Sequence, residues 1–228
     1  MGYMTPEVDH ITQEFIEFAA NTSLPVLDGG AAYGVATIPA LKKGATVIAN
    51  DIDPKHLILI AQNTALTEKE KERLFLNEDA LPNKTNFPKR SLGAILLCRV
   101  AHFFTPEEMQ SMFEKAKRWL APNGRLYIVT MTPYHYALEG FASIYEKRWR
   151  EGQAWPGVIT TMTKDYAVEH AGNIPKYLHV IDPRLMVQLA SDYGFLVKKL
   201  ELFGHHRNSK ENGLGYIGAI LINQGINP

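Results

Sequence analysis

Four stretches of this sequence place chemically informative residues directly after apolar runs. Leu24-Pro25-Val26-Leu27 leads into Asp28-Gly29-Gly30-Ala31-Ala32-Tyr33-Gly34, and Thr46-Val47-Ile48-Ala49-Asn50 into Asp51-Ile52-Asp53-Pro54. Leu74-Phe75-Leu76 leads into Asn77-Glu78-Asp79-Ala80, and Ala94-Ile95-Leu96-Leu97 into Cys98-Arg99. A glycine-rich turn after a buried strand lets the backbone approach a ligand closely. Gly29-x-Ala31-x-x-Gly34 is a degenerate match to the dinucleotide pattern G-x-G-x-x-G. Ala31 stands where backbone must meet a pyrophosphate, and Asp28 puts a carboxylate where phosphate would be repelled. Parsed as Asp28-x-Gly30-x-Ala32-x-Gly34, the loop suits a nucleoside-like ligand that lacks phosphate and carries positive charge. A tight strand-to-helix turn that binds nothing has the same composition.

S-adenosylmethionine, with its sulfonium and ammonium, has that chemistry. Asp51 follows Asp28 by 23 residues, close to the roughly 20 expected of an acid that holds a ribose. Asp53, just before Pro54, is the better helix cap, which leaves Asp51 for the ribose hydroxyls. Asp79 can accept from an adenine amino group while the Ala80 amide donates to a ring nitrogen; a solvated loop acid is the alternative. Histidine is the usual general base near neutral pH. His135, with Tyr134 beside it, follows the fifth strand. His170, His179 and the pair His205-His206 lie further on. Each is more often a surface or capping residue, and methylation of an amine needs no base beyond positioning.

The elements that must hold these residues alternate. A helix is expected over about 6–20, capped by Thr5 with Pro6 in its first turn. Strands are expected at 24–28, 46–50, 74–76, 94–98 and 126–130, with helices after the first, to about 41, after the second, over about 55–65, and after the fourth. Thr105 and Glu108 form a capping box around Pro106. Pro122-Asn123-Gly124 reads as the turn into the fifth strand. A helix capped by Asp182 with Pro183 follows, then two strands at 195–202 and 215–222 joined through 205–213. Strand alternating with helix gives βαβ units: a doubly wound, mostly parallel α/β sheet with helices on both faces. In such a sheet ligands bind outside the carboxyl ends of the strands, where the strand order switches.

Composition narrows the classes. The chain has 228 residues, enough for one large domain or one domain with an insert. Lys+Arg and Asp+Glu are 24 each, which excludes a strongly basic nucleic-acid binder, though not a local patch. The single cysteine, Cys98, cannot form an intramolecular disulfide. No apolar run approaches the ~20 residues of a membrane span. The first twenty residues carry Glu7, Asp9, Glu14 and Glu17 and neither Lys nor Arg, unlike a targeting peptide, so a cytoplasmic location is expected.

Taken in order, the motifs resemble those of class I S-adenosylmethionine-dependent methyltransferases. Val26 to Gly34 resembles their first motif, Ala49 to Pro54 the ribose-binding strand end, and Asn77 to Pro82 the adenine-binding segment. Leu96 to Phe104, with His102, is similar to the fourth-strand motif, and Leu120 to Leu126 to the L-x-P-G-G turn, with Asn123 for its first glycine. The resemblance covers about residues 20–131. It implies a seven-stranded, mostly parallel sheet whose last strand is antiparallel. It also implies a cofactor-binding set of Asp28, Gly30, Ala32, Gly34, Asp51, Ile52, Asp79, Ala80, Cys98 and Arg99. Ala32 replaces a common glycine. Arg99 replaces a small polar residue, and either grips the methionine carboxylate or pairs with an acid.

Residues 133–181 interrupt the alternation. They hold Tyr134, Tyr136, Tyr145, Tyr166, Tyr177, Trp149 and Trp155, and five cations balanced by five acids. This is the expected substrate cap, an insert after the fifth strand of one 1–228 domain, with some of its aromatics serving as packing. It suits a small apolar or aromatic methyl acceptor rather than a nucleic acid. The other readings are an NAD-dependent oxidoreductase on a similar sheet, against which Asp28 and Ala31 weigh, a non-enzymatic S-adenosylmethionine-binding protein, and a protein methyltransferase.

Overall fold

A computed structural model describes residues 7–138, 140–160, 177–204 and 212–225. Its strands are β1 (Val26–Gly29), β2 (Val47–Asn50), β3 (Leu74–Asn77), β4 (Leu92–Cys98), β5 (Leu120–Met131), β6 (Val158–Ile159), β7 (Leu178–His179), β8 (Phe195–Phe203) and β9 (Tyr216–Asn223). Seven of them form one sheet in the order β3-β2-β1-β4-β5-β9-β8. The first five pair in parallel, and β9 runs antiparallel to both its neighbours. The expected sheet is therefore present. Its order reverses at β1, which lies between β2 and β4, so the carboxyl ends of β1 to β4 border one crevice.

The helices are α1 (His10–Ala19), α2 (Thr37–Lys42), α3 (Pro54–Ala61), α4 (Glu68–Lys71), α5 (Pro106–Trp119), α6 (Phe141–Arg150) and α7 (Pro183–Asp192). Alternation along the buried strands divides the core. Val26, Val47, Ala94 and Leu96 face α1 and α2, where Ile11, Phe15 and Leu41 meet them. Leu27, Ile95 and Leu97 face the opposite side, where Met109, Phe113 and Trp119 of α5 and Leu185 and Leu189 of α7 pack. α5 starts where expected: Thr105 Oγ1 accepts from the Glu108 amide, and the Glu108 carboxylate accepts from the Thr105 amide. β3 is an edge strand, and its Phe75 and Leu76 are exposed.

Three local expectations need correction. α1 begins at His10, capped by Asp9, whose carboxylate accepts from the Thr12 amide at 2.9 Å. Asp9 is also ion-paired with Arg99, so tertiary contact fixes the helix start; Thr5 and Pro6 lie outside the described residues. Pro122-Asn123-Gly124 is an excursion within β5 rather than a turn before it. Leu120 already pairs with Leu92, and the register resumes at Arg125 opposite Ala94. Asn123 takes φ +64°, a left-handed conformation that asparagine tolerates. α3 ends at Ala61, and the short α4 was marked by its own capping box, Thr67 with Glu70.

The described residues of the segment after β5 are folded. A 3-10 turn (Tyr136–Leu138), α6 and the antiparallel β6–β7 pair enclose Leu138, Phe141, Tyr145, Ile159, Leu178 and Val180. Trp149 and Trp155 pack against the core on the α5 side of the sheet. Tyr177 Oη and His179 Nδ1 both bond the Phe104 carbonyl, at 3.3 and 3.1 Å. Tyr166, His170, His205 and His206 fall outside the described residues.

Candidate functional site

The crevice is built by four strand ends. At the end of β1, Asp28 is buried and accepts from Thr37 Oγ1 at 2.6 Å. Burial pushes its carboxyl up to about 6, against the lowering effect of Thr37. Gly30 has φ +72°, and a methyl of Val100 fills the space that a Cβ would need. Ala32 takes φ +47°, a conformation that costs a non-glycine residue roughly 1–2 kcal/mol. Its amide compensates by donating to Asp51 Oδ2 at 2.9 Å. Asp51, at the end of β2, also accepts from the Asp53 amide through Oδ1 at 2.9 Å, and His56 Nδ1 lies 3.1 Å from the same oxygen. Asp53 is the cap of α3, bonded to the Lys55 amide. The loop and the β2 end are thus one braced unit.

Asn50 joins β2 to β3: its Nδ2 donates to Asn77 Oδ1 at 2.7 Å and to the Asp79 carbonyl at 2.8 Å. Asp79 is exposed at the rim, Ala80 is half-buried beside it, and Ile52 is 73% exposed above the crevice. Gly34, at φ +79°, closes the loop under Ile38 and Ile60. Cys98 is turned the other way. Its Sγ lies against Thr12 Oγ1 and Asp9 of α1, and burial pushes its thiol up to about 12. Arg99 takes the acid-pairing alternative: its Nη1 is 3.4 Å from Asp9, and its guanidinium lies 5.1 Å from the Tyr216 ring centre. Sequence reading missed Thr37, Asn50, His56, Val100 and Asp9. Asn50 carried a signal, a polar residue at the end of an apolar strand. The others show none, because their roles depend on contacts made across the fold.

Residues 26–124 match a sequence-family model described as a methyltransferase domain. Over nearly the whole chain, a SAM-dependent methyltransferase from Methanosarcina mazei superposes with a TM-score of 0.68 at 15% identity, covering 95% of this chain and 98% of that one. The 1,6-didemethyltoxoflavin-N1-methyltransferase of Burkholderia thailandensis, solved with 1,6-didemethyltoxoflavin and S-adenosylhomocysteine, gives 0.62 at 14%, covering 94% and 78%. The glycopeptide N-methyltransferase MtfA, solved with S-adenosylmethionine, gives 0.59 at 13%, covering 92% of each. No curated protein matches the sequence. The likeness to these structures lies in the fold, and the match to the methyltransferase-domain model lies in residues 26–124.

Beyond the crevice, a cavity of about 460 Å³ opens after β5, lined by Tyr134, His135, Tyr136, Leu138, Asn212 and Leu214 among others. Tyr134 Oη donates to Glu146 Oε1 at 2.7 Å; burial, and then Glu146, raise its pKa, so the phenol stays protonated. His135 is buried, and its Nδ1 accepts from the Ala137 amide at 3.2 Å, which puts the proton of the neutral ring on Nε2. His135 lies edge-on to Tyr216 at 5.1 Å, and Tyr216 carries Arg99, so the cavity wall connects to the end of β4. His102, after β4, is buried near Thr130 Oγ1. Burial, with His135 and Arg99 nearby, pushes His102 down to about 3. Burial likewise pushes His179 down to about 4.

Proposed function

We propose that the chain transfers a methyl group from S-adenosylmethionine to a nucleophilic nitrogen or oxygen of a small apolar or aromatic molecule. The observation that carries the reading is the braced carboxylate of Asp51 at the point where the strand order reverses. A carboxylate has about four acceptor positions. Three face chain groups, the Ala32 and Asp53 amides and His56, which leaves capacity for a ribose hydroxyl. The exposed Ile52 offers an apolar surface to an adenine, with Asp79 and Ala80 at its polar edge. Asp28 fits a cationic ligand: burial disfavours its charged form, and an arriving ammonium would favour it. When bound, the cofactor supplies an electrophilic methyl carbon, and the protein's share is alignment.

Residues 133–181 act as the acceptor cap in this reading. The aromatic walls of the cavity after β5 suit a flat, apolar acceptor. A nitrogen acceptor is favoured over a hydroxyl, because Tyr134 is held protonated and the Nδ1 lone pair of His135 is already engaged. Two fold neighbours are N-methyltransferases by name. The test is calorimetry with S-adenosylhomocysteine and NAD side by side, followed by turnover on a panel of aromatic amines and phenols. S-adenosylhomocysteine binding with amine turnover is the expected result. NAD binding without S-adenosylhomocysteine would overturn the reading, and cofactor binding without any turnover would overturn its catalytic part.

A further inference from the structure

At the edge of the sheet opposite the crevice, the last turn of α5 and the loop into β4 enclose a cleft of about 220 Å³. Lys89, Arg90, Glu114, Lys117, Arg118 and Asn223 line it. Four cations face one carboxylate, in a chain whose Lys+Arg and Asp+Glu counts are equal. Among the described residues none of the four is ion-paired. Lys117 Nζ donates to the Gly194 carbonyl at 2.6 Å, and Arg118 Nη2 donates to Asn86 Oδ1. The side chains of Lys89 and Arg90 have no hydrogen-bond partner among the described residues.

Cations at a helix C-terminus ordinarily answer the exposed carbonyls there. Here the carbonyls of Ala116, Lys117 and Arg118 are already satisfied, the first by the Leu120 amide. Asn223 Nδ2 donates to Leu120 O at 2.8 Å and to Lys117 O at 3.3 Å, and the Arg90 amide donates to Arg118 O at 2.9 Å. Lys89 and Arg90 also come from a different segment than α5. Arg90 holds φ +61°, where glycine or asparagine would be less strained. The positive charge of Lys89 and Arg90 is therefore left facing outward, from side chains that the fold does not need for its own carbonyls.

We propose that this cleft is a second binding site, for the di- or triphosphate group of a small molecule, separate from the candidate active site. Two guanidinium forks and two ammonium groups match phosphate oxygens. The volume is below the roughly 300–1,000 Å³ of pockets that enclose a whole organic ligand, so it fits a compact charged group. The seven residues of β4 separate it from the crevice, about 23 Å at 3.3 Å per residue.

Isothermal titration with pyrophosphate and with inorganic triphosphate, at constant ionic strength, tests this on the full chain. Both are expected to bind at one site. Arg90→Asn, which keeps the left-handed backbone accessible, and Lys89→Gln should each weaken binding by about tenfold or more, with S-adenosylhomocysteine affinity unchanged and the melting temperature no lower. No heat beyond a chloride-matched blank, or wild-type affinity in Arg90→Asn, would overturn the site. Binding of single-stranded oligonucleotides that strengthens with length, without binding of pyrophosphate, would overturn the small-molecule ligand. Loss of S-adenosylhomocysteine binding would count against the methyl-transfer reading and leave this site untouched.

Discussion

Asp51 has two tasks, and its variants separate them. Its carboxylate fixes the Ala32 and Asp53 amides, and hydrogen bonds to charged groups are worth about 1.5–3 kcal/mol each. Asp51→Ala should therefore lower stability by about 2 kcal/mol or more as well as cofactor affinity. Asp51→Asn keeps one acceptor oxygen and should stay folded while binding S-adenosylhomocysteine about 10- to 100-fold more weakly. A folded Asp51→Asn with wild-type affinity would remove Asp51 from the site. Ala32 sits at φ +47° without being glycine. Ala32→Gly should relieve roughly 1–2 kcal/mol of strain and give back part of it as backbone entropy, for a net gain of about 0.5–1 kcal/mol in urea unfolding. Gly30→Val is not a clean test of cofactor contact, because the left-handed φ and the Val100 methyl make it a folding variant.

Helix caps set the next scale, and burial ranks them. Thr105 caps α5 at a half-buried position, so Thr105→Ala should cost about 1 kcal/mol. Asp182 caps α7 at 1% exposure, through the Leu185 amide at 2.9 Å, and also accepts from Arg184 Nε. Asp182→Ala leaves a buried donor unsatisfied and should cost about 2–3 kcal/mol. Equal midpoint shifts for the two variants in chemical denaturation would contradict this ranking. The insert has a comparable logic. Trp149 and Trp155 are packed against the core, so excising 149–157 would open it rather than trim a loop. Hydrogen exchange is the gentler probe. The Tyr177 and His179 bonds to Phe104 connect the insert to the loop after β4, and Val100 of that loop rests on Gly30. Amides 177–181 should exchange more slowly when S-adenosylhomocysteine is bound. Unchanged exchange would mean that the insert does not respond to the crevice.

At the scale of the whole molecule, three buried groups with large shifts shape the response to acid between pH 7 and pH 5. His102 and His179 are pushed down to about 3 and 4, so the unfolded chain takes up their protons first as pH falls through 6.5. Stability is lost across that window. Asp28, raised to about 6, works in the opposite sense, because the folded chain takes up its proton first as pH falls toward 4. Two groups outweigh one, and stability should drop by roughly 2–3 kcal/mol between pH 7 and pH 5. His179→Asn should flatten that slope in urea unfolding at the two pH values; a variant as pH-sensitive as wild type would show that His179 does not titrate as its burial requires.

The alternation of apolar strands with capped helices was legible in the linear chain because it obeys local rules: period, caps, and glycines where a turn needs them. Asp53 as a cap, the Thr105–Glu108 box and Asp182 with Pro183 were readable for that reason, as was the order of motifs from Asp28 to Arg99. Arg99 was left between two partners. The fold places it on Asp9, 90 residues away in sequence and itself the unanticipated cap of α1. Asp51 was identified as an acid at a strand end, but its bracing of Ala32 appeared only when β2 lay beside the β1 loop. Neutral composition hid the four cations that α5 and the loop into β4 bring to one cleft. Local backbone preference and hydrophobic period act over a few residues and survive in a sequence. Ion pairs, buried donors and convergent charge depend on where distant segments meet, and only the packed sheet decides that.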